Sequence, residues 1–357
     1  MAQDRPKILV IRFSSLGDLV LLSSLLKALR TGYPEVDIHL ACKEVYAEIF
    51  KGSSNVDRLH TLHGDGLAGL IRLHSKLRRE RYGIIIDAHN VIRSNLIYRA
   101  LRAPRKVQLG KEQTKKTLLI KRKRNLYNRI ISQTARYLEI AGHLGIETRG
   151  ISTGLEIPES AARKVGELIR GAGYEGKTPI AMAPGARWDT KRWPQGHYAR
   201  LASELGDRGF ETVLIGSKNE LPLSEQIALG SSHTPLNLTG MLSIIETAAM
   251  LKNCSILVTN DSAPLHIAEA VGTPVVALFG PTVREFGYFP QLQRSAALEV
   301  ELHCRPCSRN GSRPCPLETK ECLTSITPEM VLEAVEDIVD SGKTGAETTL
   351  AGDTGSA

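Results

Sequence analysis

The sequence predicts an α/β protein with two halves, each built on its own parallel β-sheet. Short runs rich in Ile, Leu and Val alternate with segments of helical periodicity along most of the 357 residues. Such alternation is typical of parallel sheets covered by helices. The pattern pauses over residues 152–158, which we interpret as an extended linker. The length also favours two domains, since a domain has roughly 150 residues.

In the N-terminal half, an apolar run over 7–13 (KILVIRF) predicts the first strand. Apolar residues at helical spacing over 16–30 predict the helix that follows. That helix is expected to end near Gly32 and Pro34, because both residue types disfavour helix. The other predicted elements of this half are strands over 36–41, 56–62, 83–87 and 105–109 and helices over 43–51 and 67–81.

The C-terminal half repeats the alternation after a predicted helix over 159–171. Its other predicted elements are strands over 180–183, 211–215, 256–259 and 274–279 and helices from 194 and over 244–252, 264–271 and 328–339. We therefore assign one domain to 1–155, a second to 156–326, a C-terminal helix to 327–341 and a disordered tail of small and polar residues to 342–357.

The composition indicates a globular protein. Hydrophobic residues make up 42% and charged residues 24% of the chain, which excludes a disordered or a collagen-like chain. No apolar run approaches the roughly 18–20 residues of a membrane-spanning helix. The apolar run near the start, 8–11, is too short for a signal peptide. We therefore expect a soluble protein that stays in the cytoplasm.

The net charge of +8 has its source in one segment. Residues 99–136 contain 13 Lys and Arg residues and a single acid, Glu112, whereas the rest of the chain has 33 basic and 37 acidic residues. Such a segment is either a binding surface for an anionic partner or a solvated helix face.

Small and polar residues, Ser14-Ser15-Leu16-Gly17-Asp18, follow the first strand. Ligands of open parallel sheets bind at the carboxyl ends of strands, and Gly17 allows a close approach of the backbone. Asp18 is either a functional group there or a helix-favouring acid near the positive end of the helix dipole. The chain has no GxGxxG motif and no P-loop motif, so neither a dinucleotide fingerprint nor a P-loop is indicated.

The second half has two polar loops at predicted strand ends. Lys191 and Arg192 lie before a helix that starts near Pro194, and two cations beside a helix N-terminus suit a phosphate group. Glu220 follows the next strand, where an acid can accept both hydroxyl groups of a ribose. In each case a solvated loop is the alternative, with Lys191 as an exposed loop cation.

The segment Asn260-Asp261-Ser262-Ala263-Pro264-Leu265-His266 joins another predicted strand to a helix. The free amides at the start of that helix suit an anion, and His266 lies one turn further on. The alternative is N-capping by Asp261 and Ser262 together with a half-buried histidine.

In this order, these segments resemble glycosyltransferase family 9, the ADP-heptose:lipopolysaccharide heptosyltransferases. The resemblance covers about residues 7–335, and the cysteine-rich stretch before 323–329 is most similar to the heptosyltransferase II branch. Some members have Asp-Thr-Gly where this chain has Asp261-Ser262-Ala263. The matching segments are 14–18, 184–186, 191–194, 216–220, 260–266 and 279–282.

The resemblance implies a GT-B fold, with two Rossmann-like domains facing each other across a cleft and the C-terminal helix packed back on the first domain. It also implies transfer of heptose from ADP-heptose to a sugar of the lipopolysaccharide inner core, with inversion. Asp18 would be the base and Lys191 would neutralise the departing diphosphate. The donor-binding residues would be Gly17, Glu220, Asp261, Ser262, Ala263 and His266.

We expect the basic segment to bind an anionic, lipid-linked core oligosaccharide at the inner leaflet of the membrane. The residues expected to do so are Lys121, Arg122, Lys123 and Arg124, joined by Arg93 from the same half. Three alternatives are a transferase with another sugar nucleotide or acceptor, a non-catalytic sugar-nucleotide-binding module, and a nucleic-acid-binding protein. Nucleic acid is disfavoured because few aromatic residues accompany the basic ones. No cofactor and no catalytic metal are expected.

Four of the six cysteines, Cys304, Cys307, Cys315 and Cys322, lie within 19 residues. The spacing C-x2-C-x7-C-x6-C starts like a zinc site but continues irregularly. A structural metal, a loop with free thiols and a pair of disulfides are the three interpretations, and a reducing cytoplasm disfavours the last. We predict a structural loop, with no metal needed for turnover.

Overall fold

A computed structural model describes residues 5–64 and 66–350, with the side chains of 342–350 excepted. The chain divides into two compact units. The first comprises the residues up to Lys115 together with Asn128–Pro158, and the second comprises Lys116–Tyr127 and the residues from Glu159 onward. No helix among the described residues is long and apolar enough to cross a membrane.

The first unit contains a parallel five-stranded sheet in the order β3-β2-β1-β4-β5. Its strands are β1 (Lys7–Ile11), β2 (Asp37–Lys43), β3 (Arg58–Leu62), β4 (Ile84–Asp87) and β5 (Arg105–Gln108). Its helices are α1 (Leu16–Gly32), α2 (Leu67–Leu77), α3 (Ile92–Ala100), α4 (Gln113–Arg122), which runs on into the second unit, and α5 (Gln133–His143). A 3-10 segment, Glu44–Phe50, stands where a helix over 43–51 was predicted.

The second unit contains a parallel six-stranded sheet in the order β11-β10-β9-β6-β7-β8. Its strands are β6 (Ile180–Ala183), β7 (Thr212–Leu214), β8 (Leu236–Asn237), β9 (Ile256–Asn260), β10 (Val275–Phe279) and β11 (Ala296–Glu299). Its further helices are α6 (Glu159–Gly171), α7 (Gln195–Asp207), α8 (Leu221–Leu229), α9 (Ile244–Lys252), α10 (Ala263–Ala270), α11 (Glu321–Thr324) and α12 (Pro328–Leu350). The predicted α/β class with two parallel sheets is confirmed.

The central strands of each sheet are buried because they are apolar on both faces, as expected when helices cover both sides. In the first unit, β1 lies at the centre of the sheet and Leu9 and Ile11 belong to the core. In the second unit, β9 and β6 are central, and the core includes Val258 and Met182. The residues that follow β1, β6 and β9 therefore lie at the middle of a sheet edge, which is where ligands of such folds bind.

The C-terminal helix differs from the prediction in length. Its apolar residues Val331, Val335 and Ile338 recur at helical spacing and are buried in the core of the second unit, where α12 packs against α7. The expectation that it also packs back on the first domain stays a prediction. The backbone is helical to Leu350, beyond the predicted end at 341, while 351–357 of the predicted tail lie outside the described residues.

The basic segment 116–127 belongs to the second unit, although the predicted 1–155 domain included it. The physical reason is a set of contacts with loops of that unit. Nζ of Lys123 donates hydrogen bonds to the carbonyl oxygens of Cys304 (2.6 Å) and Pro306 (2.8 Å). Nδ2 of Asn125 donates to Oε1 of Glu285 (2.8 Å). Arg93 lies in the first unit, so the predicted grouping of Arg93 with 121–124 in one half is wrong.

Candidate active site

In the first unit, a buried ion pair lies where β1 ends. Asp18 is in the first turn of α1, and its Oδ2 accepts hydrogen bonds from the amide (3.1 Å) and the hydroxyl (2.6 Å) of Ser15. Nη2 of Arg12 lies 2.7 Å from the same oxygen. The two residues are only 6% and 8% exposed, so the carboxylate has a fixed orientation and its charge is compensated within the protein.

Arg12 also joins the loop after β4 to this site. Its Nη1 donates to the carbonyl oxygen of Ala88 (2.7 Å), and its guanidinium lies 5.9 Å from the ring centre of Tyr137. Nδ1 of His89 accepts a hydrogen bond from the amide of Phe13 (3.4 Å). Burial first, and the nearby Arg12 charge second, lower the pKa of His89 to about 3, so its ring is neutral at pH 7.

Sequence reasoning did not assign a role to Arg12 or His89. A signal was available for Arg12, because an arginine directly after an apolar strand of a buried sheet needs a counter-charge nearby. Of the predicted residues in this unit, Gly17 is buried in the first turn of α1 beside Asp18. Arg93 is half-buried in the first turn of α3, and its charge contributes to the lowered pKa of His89.

A basic cavity of about 510 Å³ lies beyond β5 in the first unit. Its lining includes the basic residues Lys111, Lys115, Arg129 and Arg136 and the acids Glu112 and Glu139. Within it, Glu112 forms ion pairs with Lys115 (2.8 Å) and Arg136 (2.6 Å). These residues belong to the segment that the charge asymmetry indicated, but the sequence did not distinguish them from 121–124.

In the second unit, the structure joins two predicted residues in one ion pair. Nζ of Lys191 lies 2.5 Å from Oδ2 of Asp261 and 3.1 Å from its carbonyl oxygen. Oγ1 of Thr282, in the loop after β10, donates to the same carboxylate oxygen (2.6 Å). Burial opposes ionisation of Asp261, but Lys191 and the hydrogen bond from Thr282 outweigh it, so the pKa of Asp261 lies below its usual value.

Lys191 is not the exposed loop cation that the sequence suggested, since its side chain is only 13% exposed. The loop that carries it is anchored by Asn260, which is fully buried at the end of β9. Oδ1 of Asn260 accepts a hydrogen bond from the amide of Trp193 (2.9 Å), and Nδ2 donates to the carbonyl oxygen of Pro184 (2.9 Å). One side chain thus fixes both ends of the Lys191 loop.

The start of α10 lies next to this ion pair. Ser262 is the N-cap residue, although its side chain makes no capping hydrogen bond, and Ala263 is the first helical residue. The amides of such a first turn have no partner within the helix and suit an anion. His266 is buried in the same helix, close enough to Asp261 to contribute to its lowered pKa, and its ring lies 6.0 Å from that of Tyr288.

Glu220 follows β7 and is held at the same sheet edge. Its Oε2 accepts hydrogen bonds from the amide (2.7 Å) and hydroxyl (2.9 Å) of Ser217. Its carboxylate also lies against Gly185 in the loop after β6, where a Cβ atom would stand only 1.9 Å from Oε1. The two strand ends therefore bring Glu220 and the Pro184-Gly185-Ala186 turn together.

The predicted acceptor-binding residues 121–124 do not form one uniform cluster. Lys121 and Arg122 end α4, and both are exposed, as is Arg124. Lys123 instead has a left-handed backbone (φ 53°) and its ammonium group is engaged by the carbonyl oxygens of the cysteine loop. Nζ of Lys116, at the start of the same part of the chain, lies 5.5 Å from the ring centre of Phe286.

All six cysteines are free, as the predicted loop with free thiols requires. Burial and the neighbouring thiols raise the pKa of Cys307, and that of Cys322 to about 11, so both are protonated at pH 7. In the described part of the chain, three candidate metal-ligating atoms lie within 4.8 Å of one another at His39, His60 and Glu80, and no such group is formed by the cysteines.

The group of His39, His60 and Glu80 is satisfied by the protein itself. Nδ1 of His39 and Nε2 of His60 are 3.1 Å apart, and the hydroxyl of Tyr82 lies 3.0 Å from the first and 3.4 Å from the second. Glu80 forms ion pairs with two basic side chains. These two charges would repel a bound cation, so the geometry favours a hydrogen-bonded cluster over a metal centre.

The sequence model of Glycosyltransferase family 9 (heptosyltransferase) matches residues 70–319, more than two thirds of the chain. The chain belongs to glycosyltransferase family 9. This family-9 chain is 28% identical over 354 residues to lipooligosaccharide heptosyltransferase 2 of Haemophilus influenzae, covering 93% of this chain and 99% of that one.

Two solved structures share the fold of this family-9 chain. The glycosyl transferase family 9 protein from Veillonella parvula has a TM-score of 0.79 at 23% identity, covering 96% of this chain and 99% of that one. ADP-heptose lps heptosyltransferase II of Escherichia coli has a TM-score of 0.74 at 24% identity, with coverages of 94% and 99%. The GT-B fold that the resemblance implied is confirmed.

Proposed function

We propose that the chain is an inverting heptosyltransferase that moves heptose from ADP-heptose to a sugar hydroxyl of the lipopolysaccharide inner core. Membership of family 9 and the names of its relatives support the reaction class and the donor. The observation that carries the proposal for this chain is the Lys191–Asp261 ion pair beside the start of α10. It joins a cation and free helix amides at the carboxyl ends of adjacent strands, a suitable place for a diphosphate.

In the proposed reaction, Asp18 accepts the proton of the acceptor hydroxyl. The acceptor oxygen then forms a bond to the anomeric carbon from the face opposite the diphosphate, and the bond from that carbon to the phosphate oxygen breaks. ADP leaves with the electron pair, and inversion results. Arg12 and Ser15 hold the carboxylate in one orientation, and positioned general-base help contributes roughly 10²–10⁴-fold to the rate.

The second unit supplies the charges that the leaving group needs. Lys191 and the amides at Ser262 and Ala263 stabilise the negative charge that develops on the diphosphate. Because Lys191 is paired with the buried Asp261, its ammonium group is held in place beside the site proposed for the diphosphate. Asp261 then remains beside the sugar to accept heptose hydroxyls, His266 contacts the diphosphate and Glu220 accepts hydrogen bonds from the ribose.

We assign acceptor binding to basic side chains of the first unit and, independently of these, to exposed basic side chains of residues 121–124. Arg93 and the cavity that contains Lys111, Lys115 and Arg136 suit the phosphate and carboxylate groups of a core oligosaccharide. Lys121, Arg122 and Arg124 are exposed and suit the same anions, whereas Lys123 mainly fixes the cysteine loop. We further propose that the enzyme works at the inner leaflet of the inner membrane and turns over without a metal.

A direct assay tests this function. Purified protein is incubated with ADP-heptose and a panel of inner-core oligosaccharides freed of lipid, and the products are weighed by mass spectrometry and their anomeric configuration is read by NMR. We expect addition of one heptose unit with inverted configuration, and no addition by Asp18→Asn. Transfer only from a nucleotide sugar other than ADP-heptose, or heat stabilisation by short RNA and not by ADP, would overturn the proposal.

A further inference from the structure

Two neighbouring helices of the first unit begin at the sheet edge that carries Asp18. The strands of the first sheet are parallel, so β1, β3 and β4 all end at one edge. The helix α2 follows β3 and α3 follows β4, while Asp18 follows β1. The first turns of α2 and α3 therefore lie on the same side of the sheet as the predicted base.

Both helices expose large apolar side chains in and just after these first turns. Leu67 and Ile71 on α2 are 66% and 57% exposed, and Ile92 and Leu96 on α3 are 82% and 52% exposed. Residues four apart lie on one face of a helix, so each pair forms a short apolar ridge. Scattered single apolar residues are normal on a protein surface, but grouped ones indicate an interaction site.

The ridges are not part of the core. The opposite side of each helix supplies the buried residues of this region, namely Leu70, Leu73 and Leu77 from α2 and Ile97 from α3. The two helices also pack against each other. Both helices therefore satisfy the core with one face and still present apolar side chains on another.

The charged side chains on the two helices themselves have one sign. Within its bounds, α2 contains Arg72 and Lys76, and α3 contains Arg93 and Arg99, while neither helix contains an acidic residue. A self-complementary contact between two copies would bring these like charges together, which is unfavourable. An apolar surface on helices that carry only Lys and Arg is instead complementary to an anionic lipid surface, where long basic side chains reach the headgroups.

We propose that Leu67, Ile71, Ile92 and Leu96, here called the apolar face, dock the first unit onto an anionic bilayer. The four side chains insert at the boundary of headgroups and acyl chains, and the exposed Arg72, Lys76 and Arg99 contact the lipid phosphates. The apolar face would then hold the sheet edge that carries Asp18 against the membrane. The inference rests on the proposed function in one respect, namely that the acceptor is linked to a lipid and therefore reaches the enzyme at the membrane surface.

Vesicle binding tests the apolar face without any sugar acceptor. The full chain is sedimented with vesicles of phosphatidylglycerol and phosphatidylethanolamine, and with vesicles of phosphatidylcholine as a neutral reference. The test variant carries Leu67→Gln, Ile71→Gln, Ile92→Gln and Leu96→Gln. The matched control carries Leu229→Gln and Met241→Gln, since these side chains of the second unit are 86% and 55% exposed. All six positions are more than half exposed, so folding should survive, and thermal unfolding checks this.

We expect the wild type and the control to bind anionic vesicles with equal affinity and the test variant to bind at least about tenfold more weakly, because shallow apolar insertion contributes along with the charges. Heptose transfer to a lipid-free acceptor should be the same for all three proteins. Wild-type affinity of the test variant for the vesicles would overturn the proposal. So would a wild type that binds no vesicles, or one that is a dimer which the test variant dissociates. A protein that binds vesicles by this face but transfers no heptose would instead overturn only the proposed function.

Discussion

Nζ of Lys191 lies 2.5 Å from Oδ2 of Asp261, and both side chains are nearly buried. The pair is therefore part of the stability of the second unit as well as of the proposed donor site. This changes what a mutation at Lys191 should do, since an exposed loop cation would contribute little to folding, whereas breaking a buried pair by removing one partner costs several kcal/mol.

Lys191→Met should destabilise the protein by about 3–5 kcal/mol, because it leaves the Asp261 carboxylate without its counter-charge. The double variant Lys191→Met/Asp261→Asn should regain most of this loss without regaining turnover. The more exposed pair of Lys320 and Asp189, 2.9 Å apart, is the control, and Lys320→Met should cost less than about 1 kcal/mol. Urea unfolding measures each value. Equal stability of the single and the double variant would contradict the coupling.

Asp18→Asn should lower kcat by at least about 10²-fold and leave ADP affinity unchanged, because an amide cannot accept the proton but can still accept the hydrogen bonds from Ser15. Glu246→Gln is the control for the structural role. Glu246 caps α9 through the amide of Ser243 (2.8 Å) in the way that Asp18 caps α1. Steady-state kinetics give kcat for both variants. If Asp18→Asn turns over as fast as Glu246→Gln, Asp18 is not the base.

Stability should fall in mild acid because of the histidine cluster of the first sheet. Burial first, and the adjacent His39 second, lower the pKa of His60 to about 4, against an ordinary value of about 6.5. Between these values the unfolded chain binds protons that the native cluster excludes. The contribution of His60 to the free energy of unfolding therefore has its full value above about pH 6.5 and decreases as the pH falls towards 4.

His60→Asn should weaken the pH dependence of the free energy of unfolding. The same change at the exposed His233 should leave that pH dependence unchanged. Urea unfolding at pH 7 and pH 5 gives, for each protein, the slope of the free energy of unfolding against pH. The groups that face the rings, namely Tyr82, Glu80, Lys7 and Arg58, remain in both variants. Identical slopes in wild type and His60→Asn would show that the acid sensitivity has another source.

Neutralising Lys121, Arg122 and Arg124 to Gln should raise KM for a core oligosaccharide acceptor and leave KM for ADP-heptose unchanged, because these three cations are exposed and assigned to the acceptor. Changing Arg163, Arg170 and Lys252 to Gln removes the same charge from other exposed positions of the second unit. Comparison of the two triple variants separates a local effect from a general loss of positive charge. An equal rise in acceptor KM for both would remove the segment from the acceptor site.

Protein purified without added metal should contain much less than one metal ion per chain, and its activity should survive chelation. The reason is that Lys191 and the helix amides neutralise the diphosphate without a cation in the proposed mechanism. Elemental analysis and assays after dialysis against EDTA measure both quantities. One bound metal per chain, with activity lost on chelation and restored by zinc, would mean that the cysteine loop requires the metal that we judged unnecessary.

The sequence predicted the two-sheet fold because hydrophobic periodicity is local and strong in the strands that became β1, β4, β9 and β10. It placed Lys191, Glu220 and Asp261 in loops at strand ends because each follows a short apolar strand, and their role in donor binding stays a prediction. It missed β8 (Leu236–Asn237), a strand too short to show a period.

What the sequence could not predict depends on contacts between distant residues. The engagement of Lys123 by the carbonyl oxygens of Cys304 and Pro306 has no local signature, because a lysine in a basic run looks the same whether it faces solvent or caps a loop. Arg12 beside Asp18 is a different case, because its position directly after a buried apolar strand did provide a local signal, which the sequence reasoning left unused.

Gly185 controls the conformation of an acid that lies far from it in the sequence. A methyl group at this position would collide with the Glu220 carboxylate, and a long flexible side chain yields more readily than a backbone. An alanine at 185 would therefore leave the fold intact but rotate Glu220 away from Ser217. The orientation of this carboxylate thus depends on the absence of a side chain 35 positions earlier.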